Sequence, residues 1–403
     1  MKYLIILADG MADEPLAQLG NKTPLEAAKK PNLDWLTANS RVGLLHTVPQ
    51  GYSPGSEVAH LALLGYDLDR VFEGRGSLEA ASMGIDIEPG EMAMRCNIIC
   101  IEKDKIKNHS AGHISDEEAH ILIDYLNENL ADDNVRFFPG VSYRHLLKIK
   151  GGNKHIKCTP PHDVPGTPYA DVMVEAETPE AEDTAALINS LILRSQELLS
   201  KHPINIKRMA EGKDPANSIW PWSAGYKPAM TTLGEKYGIK KGAVISAVDL
   251  IHGIGVYCGL QPISVEGATG LWNTNYEGKV KAAIDALNNG YDFVFLHIEA
   301  SDEAGHEGDF ELKKHTIETL DSRVCGPIIE AMGKMNEPLS IALLPDHPTP
   351  CAIRTHSSSP VPFLIYRSDV EPDAITTLSE HTAGNGHYGT LKDDEFISEF
   401  LKN

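Results

Sequence analysis

The sequence predicts an α/β protein in which helices cover both faces of a mainly parallel sheet, giving a three-layer core. Short apolar runs without charges, such as residues 293–296, are typical of strands that are buried on both faces of a sheet. Segments with helical periodicity, such as residues 277–289, alternate with these runs. That alternation is typical of parallel sheets. Because 403 residues exceed what one core usually serves, two lobes are expected.

The net charge and the hydropathy pattern restrict the classes of partner. The formal net charge is −21 at pH 7, which argues against nucleic acid and against anionic membranes, because both attract basic surfaces. A small phosphorylated substrate is still compatible, since it responds to the local field of its pocket. No apolar run approaches the roughly 20 residues of a membrane span, and the N-terminal apolar run is too short for a signal peptide.

The six cysteines are scattered along the chain without the spacing of a metal finger. Cys96 and Cys100 lie four residues apart in a predicted strand, and we interpret them as buried side chains rather than metal ligands. Cysteines used in this way are typical of a reducing compartment, so a cytoplasmic location is expected.

The first 64 residues contain the beginning of the core and one polar loop. The predicted elements are strands over residues 3–7 and 42–48 and helices from Thr23, over residues 31–39 and over residues 58–64. Asp9 follows the first strand directly, where it is either a turn former or a ligand. Ser56 lies in a Gly/Pro/Ser loop near a helix N-terminus, where backbone N–H groups and the helix dipole stabilise an anion. An ordinary N-cap serine is the alternative interpretation.

A smaller α+β lobe is predicted to follow a Gly-rich crossing point near residue 75. Its predicted elements are strands over residues 92–101, 135–138 and 141–149 and helices over residues 115–130 and 179–199. An aromatic loop over residues 219–227 is expected to close the lobe. Polar clusters surround His109, Arg144 and His162. Arginine suits forked recognition of carboxylate and phosphate, but each cluster alone is ordinary loop chemistry.

The rest of the chain supplies further strands with polar residues at their ends. The predicted strands cover residues 242–247, 293–296, 339–344 and 360–366, with helices from residue 248 and over residues 277–289, 310–332 and 394–401. Asp302 and His306 follow the second of these strands. Asp346 and His347 follow the third, and His356 precedes the fourth. Taken alone, the first pair is also compatible with a solvated acidic loop.

Together with Asp9, these residues place an Asp or a His beside one end of four apolar strands. Open α/β sheets bind ligands at the edge where their strands end, so a site is expected there. Three aspartates, three histidines and Ser56 are enough to hold two adjacent divalent cations, with the serine oxygen on one of them. Two cations about 3.5–4 Å apart clamp the attacking and leaving oxygens of an in-line phosphoryl transfer. Mixed carboxylate and imidazole ligands suit Mn²⁺ or Zn²⁺, with Mg²⁺ or Co²⁺ as alternatives.

Nucleotide-binding motifs are absent or out of context. The sequence contains no G-x-x-x-x-G-K-[ST] motif, so nothing indicates a P-loop. Residues 384–389 match G-x-G-x-x-G formally, but no predicted strand precedes them within a βαβ unit. No nucleotide cofactor is therefore expected.

Ten motifs, spread in order over almost the whole chain, carry a family resemblance. They are LADGMAD, PGSEVAHLALLGYD, EGRGSLEAASMGID, NHSAGHIS, VSYRHLL, TPPHD, ISAVDLIHGIGVY, HIEASDEAGHEGD, LLPDHPTP and THSSSPVPF. In sequence and in order they resemble the archaeal-type cofactor-independent phosphoglycerate mutases of the alkaline phosphatase superfamily. No single motif would suffice, but ten in register specify the family.

This resemblance implies a domain organisation and a set of roles. It implies an alkaline-phosphatase-like catalytic domain, made of residues 1–75 and 233–403, and an inserted substrate-binding lid domain over residues 76–232. Ser56 would be the nucleophile that takes up the phosphoryl group. The implied ligands of one cation are Asp9, Ser56, Asp346 and His347, and those of the other are Asp302, His306 and His356.

The implied reaction interconverts 3-phosphoglycerate and 2-phosphoglycerate through a phosphoserine, without 2,3-bisphosphoglycerate, and lid closure would protect the phosphoserine from water. The implied substrate contacts are His109, Arg144, His162 and Lys227. Asp163 or a neighbouring histidine is expected to act as general base in the second transfer. Family members usually have lysine at the position of His252, and as a substrate contact a histidine would make the local positive charge pH-dependent. The oligomeric state is left open.

Three other interpretations stay open at this point. The chain also resembles proteins described as homoserine kinases, so a phosphotransferase acting on another acceptor such as homoserine is one alternative. A metal-dependent phosphatase, which would release free phosphate, is the second. A metal-binding or structural protein without catalysis is the third, and Ser56 argues against it because a binding protein has no need of a nucleophile.

Overall fold

Residues 1–402 are described by the computed structural model, and they contain fifteen strands and fifteen α-helices. The strands, numbered along the chain, are β1 Lys2–Ala8, β2 Ser40–Leu45, β3 Glu91–Glu102, β4 Lys105–Asn108, β5 Val135–Phe138, β6 Arg144–Lys150, β7 Ile156–Lys157, β8 Glu175–Ala176, β9 Ser218–Gly225, β10 Gly242–Ile245, β11 Leu260–Pro262, β12 Phe293–Ile298, β13 Leu339–Leu344, β14 Val361–Tyr366 and β15 Gly389–Leu391. The helices are α1 Pro24–Ala27, α2 Pro31–Ala38, α3 Ser56–Leu63, α4 Leu68–Val71, α5 Arg75–Ser82, α6 Asp116–Leu130, α7 Glu182–Leu199, α8 Pro203–Ala210, α9 Leu233–Tyr237, α10 Asp249–Tyr257, α11 Tyr276–Asn288, α12 Ala300–Glu307, α13 Phe310–Leu320, α14 Gly326–Met332 and α15 Glu395–Phe400.

The chain divides into two units, each with its own hydrophobic core. The larger unit contains Met1–Phe72 and the chain from Met230 onward, and the smaller unit is Glu73–Ala229. Within the described residues, no helix has both the length and the apolar composition that crossing a bilayer requires. All six cysteines are free, and all but Cys158 are buried.

An eight-stranded sheet with the order β11-β10-β12-β1-β13-β14-β2-β15 forms the centre of the larger unit. Every residue of β1, β12 and β13 is buried, because both faces of these strands are covered. All strand pairs are parallel except those of β14, which runs antiparallel to β13 and to β2. The predicted three-layer α/β core with a mainly parallel sheet is therefore confirmed.

The reversal of β14 changes which edge of the sheet its flanking residues reach. Leu343 of β13 pairs with Leu364 of β14 in antiparallel register, so β14 begins beside the end of β13. A residue that precedes a parallel strand would lie at the opposite edge of the sheet. The segment before β14, which contains His356, therefore approaches the edge where β1, β12 and β13 end.

Residues 310–332 were predicted as one helix, and the structure contains a π-helical turn within it. Helices α13 and α14 are joined without a break by Asp321–Cys325 in π-helical geometry. Pro327, at the start of α14, has no backbone N–H to continue the α-helical hydrogen-bond pattern, which accounts for the shift at this point.

The smaller unit is built on a second, antiparallel sheet. Its central strand β3 pairs with β4, β6 and β9, and β5 pairs with β6. The long helices α6 and α7 contribute apolar residues to the core beside this sheet. Strands β7 and β8 form a separate two-stranded pair.

The prediction of an aromatic loop over residues 219–227 is wrong, because this segment contains strand β9. Trp220 and Trp222 are both buried and lie two residues apart, so they share one face of the strand. Pro221 suggested a loop, but the recorded pairing of β9 is with β3 alone, and a proline is tolerated in a strand at the edge of a sheet. The high β-propensity of tryptophan and isoleucine decides the conformation.

Candidate active site

Polar residues from four strand ends converge at one edge of the larger sheet. Asp9 follows β1, Asp346 and His347 follow β13, and His356 precedes β14. Asp302 lies in the first turn of α12, which begins directly after β12. His306 lies one turn further along α12, so the two side chains share a face of the helix. The alternative of a solvated acidic loop is therefore wrong, because this segment is helical and the Asp302 side chain is 14 % exposed.

Gly10 permits this convergence. Its φ of +61° lies in the left-handed region that favours glycine. A β-carbon at this position would lie 2.5 Å from Asp302 Oδ1, so a larger residue would displace that carboxylate. The backbone N–H of Gly10 donates to Asp346 Oδ1 at 3.1 Å. The glycine after Asp9 thus brings the ends of β1, β12 and β13 together.

A first group consists of Asp9, Asp346 and His347, all of which are buried. His347 Nε2 lies 3.2 Å from Asp346 Oδ2 and 3.9 Å from Asp9 Oδ1. Each carboxylate has one oxygen held by hydrogen bonds, since His297 Nε2 lies 2.9 Å from Asp9 Oδ2 and two backbone N–H groups donate to Asp346 Oδ1. The other oxygens, Asp9 Oδ1 and Asp346 Oδ2, are buried and accept no hydrogen bond from the described residues. Two bare buried carboxylate oxygens beside an imidazole nitrogen fit a divalent cation.

A second group consists of Asp302, His306 and His356. His306 Nε2 lies 3.3 Å from Asp302 Oδ2, and His356 Nε2 lies 3.6 Å from Asp302 Oδ1. The two imidazole nitrogens lie 3.0 Å apart, so all three side chains aim at one point. His347 stacks on His356 with ring centroids 3.9 Å apart, and its ligand atoms also group with those of Asp302 and His356. The two groups are therefore adjacent, and His347 lies between them.

Ser56 is the first residue of α3 and faces the first group. Its Oγ lies 3.3 Å from His347 Nε2. The N-cap position belongs to Gly55, and no side chain caps this helix. The alternative of an ordinary N-cap serine is therefore wrong, and the hydroxyl is directed toward the cluster.

Burial and neighbouring charges shift the pKa values of the site's carboxylates in different directions. Burial, reinforced by the nearby Asp346 and Asp302, raises the pKa of Asp9. Burial also acts on Asp346, but the imidazoles of His347 and His60 outweigh it and lower the pKa of Asp346 to about 2. Asp302 is buried as well, yet hydrogen bonds from His306 and His356 lower its pKa well below the usual value.

The pKa values of the histidines are also shifted, in a direction that depends on the surroundings of each ring. The hydrogen bond with Asp302 raises the pKa of His306 to about 9. Burial lowers the pKa of His347, and Asp346 opposes this only in part. At neutral pH and without a cation, a proton on His306 balances the charge of Asp302. Burial acts against protonation of His356, but Asp302 outweighs it and raises the pKa of that histidine. A divalent cation would take over that role, because a ligating imidazole nitrogen must be unprotonated.

A buried lysine fixes the loops that carry these ligands. Lys313 Nζ donates to Asp13 Oδ2 at 2.8 Å, to Ala12 O at 3.0 Å and to Thr349 O at 2.8 Å. The loop after β1 is thereby tied to the loop after β13. In the sequence, the helical spacing of Lys313 with Ile317 and Leu320 indicates that this lysine is on the buried side of its helix, but the spacing does not identify these partners.

The smaller unit contains a separate cluster of cationic and aromatic side chains. Rings of His109 and His162 lie 6.0 Å apart, and His162 lies 5.3 Å from the ring of Trp222. Tyr143 contacts His109 edge-on at 5.4 Å, and the guanidinium of Arg144 lies 6.0 Å from the Tyr143 ring. The structure thus brings together three of the substrate contacts that the family resemblance implied.

Arg95 and Arg75 belong to this cluster and were not identified from the sequence. The Arg95 guanidinium lies 4.6 Å from the Trp222 ring and pairs with Glu79 at 2.9 Å. Burial lowers the pKa of Arg95, and the charges of Arg75 and Arg144 add to this effect. The Nε atoms of both Arg75 and Arg95 are buried without a hydrogen-bond partner. The only sequence signal was an arginine inside a predicted apolar strand, which normally carries no charge.

Three other predicted contacts have different surroundings. Asp163 Oδ1 lies 3.5 Å from His162 Nε2, and its side chain is 60 % exposed. Lys227, which is half exposed, pairs with Asp86 at 2.7 Å. His252 belongs to the larger unit, where burial lowers its pKa and its Nε2 has no partner. Asp163 and Lys227 are exposed enough for a substrate to reach them, whereas His252 is partly buried.

Comparisons with known proteins identify the family. The family model for 2,3-bisphosphoglycerate-independent phosphoglycerate mutase matches residues 37–205. A protein of that name from Methanosarcina mazei is 48 % identical over 406 residues, covering 100 % of both chains. A solved structure from Pyrococcus horikoshii has a TM-score of 0.83 at 31 % identity, covering 99 % of this chain and 96 % of that one. The cofactor-independent phosphoglycerate mutase of Thermoplasma acidophilum has a TM-score of 0.70 at 27 % identity, covering 100 % and 99 %. As its motifs predicted, the chain belongs to the 2,3-bisphosphoglycerate-independent phosphoglycerate mutase family.

Proposed function

We propose that this protein is an isomerase that interconverts 3-phosphoglycerate and 2-phosphoglycerate through a phosphoserine on Ser56, without 2,3-bisphosphoglycerate. The position of Ser56 Oγ, 3.3 Å from His347 Nε2 at the start of α3, carries the proposal. Relatives that align over the full chain and bear the mutase name support the choice of substrate.

Two divalent cations would be held at the sheet edge, Mn²⁺ or Zn²⁺ in preference to Mg²⁺ or Co²⁺. One would use Asp9, Asp346, His347 and Ser56, and the other Asp302, His306 and His356. When bound, they would neutralise charge on the transferring phosphoryl group and acidify the serine hydroxyl. The bare oxygens of Asp9 and Asp346 support this assignment.

The chain's own groups account for the two transfers. In the first, Ser56 Oγ attacks phosphorus and the bond from phosphorus to the 3-oxygen breaks; the proton released by Ser56 is balanced by the proton that the 3-oxygen takes up to give glycerate. In the second, the 2-hydroxyl of glycerate loses its proton to a general base and attacks the phosphoserine, the bond from phosphorus to Ser56 Oγ breaks, and Oγ takes up a proton to regenerate Ser56. The N–H groups at the start of α3 stabilise the negative charge of the phosphoserine. Asp163, or the adjacent His162, is the proposed base for the second step.

The smaller unit is the proposed substrate-binding lid, and its cationic cluster is the proposed site for the anionic groups of phosphoglycerate. Arg95, Arg144, His109 and His162 offer donors in a chain whose formal net charge is −21. Arg95 is suited to this role because its guanidinium is already fixed by Glu79 and Trp222. Preorganisation of this kind lowers the entropy lost when the substrate binds.

Replacing Arg95 by lysine is expected to raise KM for phosphoglycerate by about 10-fold or more, because lysine keeps the charge but loses the fork that binds two oxygens at once. Steady-state kinetics measure the change. Arg136→Ala is the matched control, since Arg136 is exposed in the same unit and lies 5.7 Å from the Phe138 ring. An unchanged KM in Arg95→Lys would exclude this arginine from substrate binding.

The proposed activity is tested with protein stripped of metal by EDTA. Conversion of 3-phosphoglycerate is followed by coupling to enolase, with no 2,3-bisphosphoglycerate, while Mn²⁺, Mg²⁺, Zn²⁺ and Co²⁺ are restored one at a time and free phosphate is measured. The expected result is turnover that returns with a cation and releases no phosphate. Phosphate release would indicate a phosphatase. Protein that binds two cations but converts no phosphoglycerate would indicate another acceptor, with homoserine tested first.

A further inference from the structure

A buried hydrogen-bonded chain runs from helix α11 to Asp9. Lys279 Nζ donates to Glu299 Oε2 at 2.5 Å and to the backbone oxygen of His297 at 3.1 Å. Glu299 Oε1 lies 3.1 Å from His297 Nδ1, and His297 Nε2 lies 2.9 Å from Asp9 Oδ2. None of these four residues is more than 5 % exposed. This series of hydrogen bonds therefore connects the candidate site to Lys279, which lies outside the site.

Ser246, at the end of β10, joins the same network. Its Oγ lies 2.9 Å from His297 Nδ1 and donates to Glu299 Oε1 at 3.1 Å. The backbone N–H of Ala247 also donates to Glu299 Oε1, at 2.9 Å. Strands β10, β12 and β1 are neighbours in the sheet, so the network links the ends of three adjacent strands.

The contact between His297 and Asp9 would have a fixed direction once Asp9 binds a cation. As a ligand, Asp9 would be ionised, and an ionised carboxylate only accepts hydrogen bonds, so His297 Nε2 would donate to Asp9 Oδ2. The other nitrogen, Nδ1, faces Ser246 Oγ at 2.9 Å and Glu299 Oε1 at 3.1 Å, so both sides of the ring are held. Asp9 Oδ2 is thereby occupied, and Asp9 Oδ1 is the oxygen left for a ligand.

Burying this network costs free energy, so a contribution to stability does not by itself explain why these polar groups are there. Two carboxyl groups and a lysine are removed from water, and well-packed apolar residues usually serve stability as well as a buried ion pair does. Hydrogen bonds that orient a metal ligand are a known use for such groups, and their loss typically weakens metal affinity about 10–100-fold.

We propose that Lys279, Glu299 and His297 are positioning residues that hold the Asp9 carboxylate with Oδ1 directed at the cation shared with Asp346 and His347. The inference rests on the proposed cation sites. Disrupting this network should weaken the cation site that contains Asp9 and leave the site that contains Asp302 and His306 intact.

The test is a calorimetric titration of metal-free protein with Mn²⁺, which measures binding rather than activity. In His297→Ala, one of two sites is expected to lose about 10–100-fold in affinity. His297→Gln should recover most of this loss, because its amide N–H reaches the position of Nε2. His306→Ala identifies the other site, which should keep its affinity in the His297 variants. His145→Ala is the matched control, since His145 is a buried histidine of the smaller unit.

Circular dichroism checks that each variant is folded. If His297→Ala does not fold, Glu299→Gln carries the test, since it removes the charge that holds His297 while keeping the size of the side chain. A folded His297→Ala or Glu299→Gln that binds both cations as tightly as the wild type overturns the proposal. Equal losses in His297→Ala and His297→Gln also overturn it, because the donated hydrogen bond would then be irrelevant. A wild-type protein that binds no Mn²⁺ would instead contradict the proposed cation sites.

Discussion

Replacing Ser56 by alanine is expected to lower kcat for phosphoglycerate interconversion by at least about 10⁴-fold, because the substitution removes the proposed carrier of the phosphoryl group. Ser56 Oγ faces His347 at the start of α3, and an alanine there removes the oxygen without disturbing the helix, whose N-cap is Gly55. Cation binding should be largely retained, since Asp9, Asp346 and His347 remain. Coupled kinetics and calorimetric titration with Mn²⁺ measure the two quantities separately.

Ser53→Ala is the matched control for this prediction. Ser53 is an exposed serine of the same loop, three residues before Ser56, so its loss tests the loop without changing the proposed nucleophile. Brief incubation with substrate labelled in the phosphoryl group should leave label on wild-type protein and on Ser53→Ala, but none on Ser56→Ala. Near-normal turnover in Ser56→Ala would rule out the serine as the phosphoryl carrier.

His347→Ala is expected to disturb both proposed cation sites at once and to lower kcat by roughly 10³-fold or more, which corresponds to about 4 kcal/mol of lost transition-state stabilisation. His347 Nε2 lies beside Asp346 and Asp9 and beside Ser56 Oγ, and the ring stacks on His356. Its removal takes a ligand from the first group and packing support from the second. Metal content after dialysis and calorimetric titration measure the effect on each site.

His306→Ala should have a narrower effect, because His306 Nε2 lies beside Asp302 and His356 of the second group, and its Nδ1 faces the backbone oxygen of Arg354. One site should weaken and the other should keep its affinity. His315→Ala is the control, since His315 is exposed on α13. The prediction for His347→Ala would be contradicted if that variant bound two cations with wild-type affinity, because the two groups would then not share this histidine.

Much of the site could be predicted from the sequence because its signals are local. Apolar runs identified the strands of the core, and Asp or His residues beside them identified Asp9, Asp302, Asp346 and His347. Ten short motifs then specified the family, which the comparison with full-length relatives confirms. Local patterns failed where a residue type had two interpretations, as for Pro221, which indicated a loop but lies in strand β9.

The remaining parts of the site depend on contacts between distant residues. Asp9 and His297 are 288 residues apart, and Lys279 is one of many lysines in the sequence until the fold buries it against Glu299. Arg95 gave no functional signal by itself, because its stacking on Trp222 requires the pairing of β3 with β9.

The sequence by itself determined the fold class and the family, and it predicted which Asp, His and Ser residues form the candidate site, because periodicity and motifs are properties of neighbouring residues. Only the tertiary structure decided how these residues meet. The antiparallel direction of β14 brings His356 to the edge where the parallel strands end. The sheet order β12-β1-β13 sets Asp9 between His297 and Asp346, so that one of its oxygens is held and the other is free. Strand order and direction are set by packing of the whole chain, and no local segment encodes them.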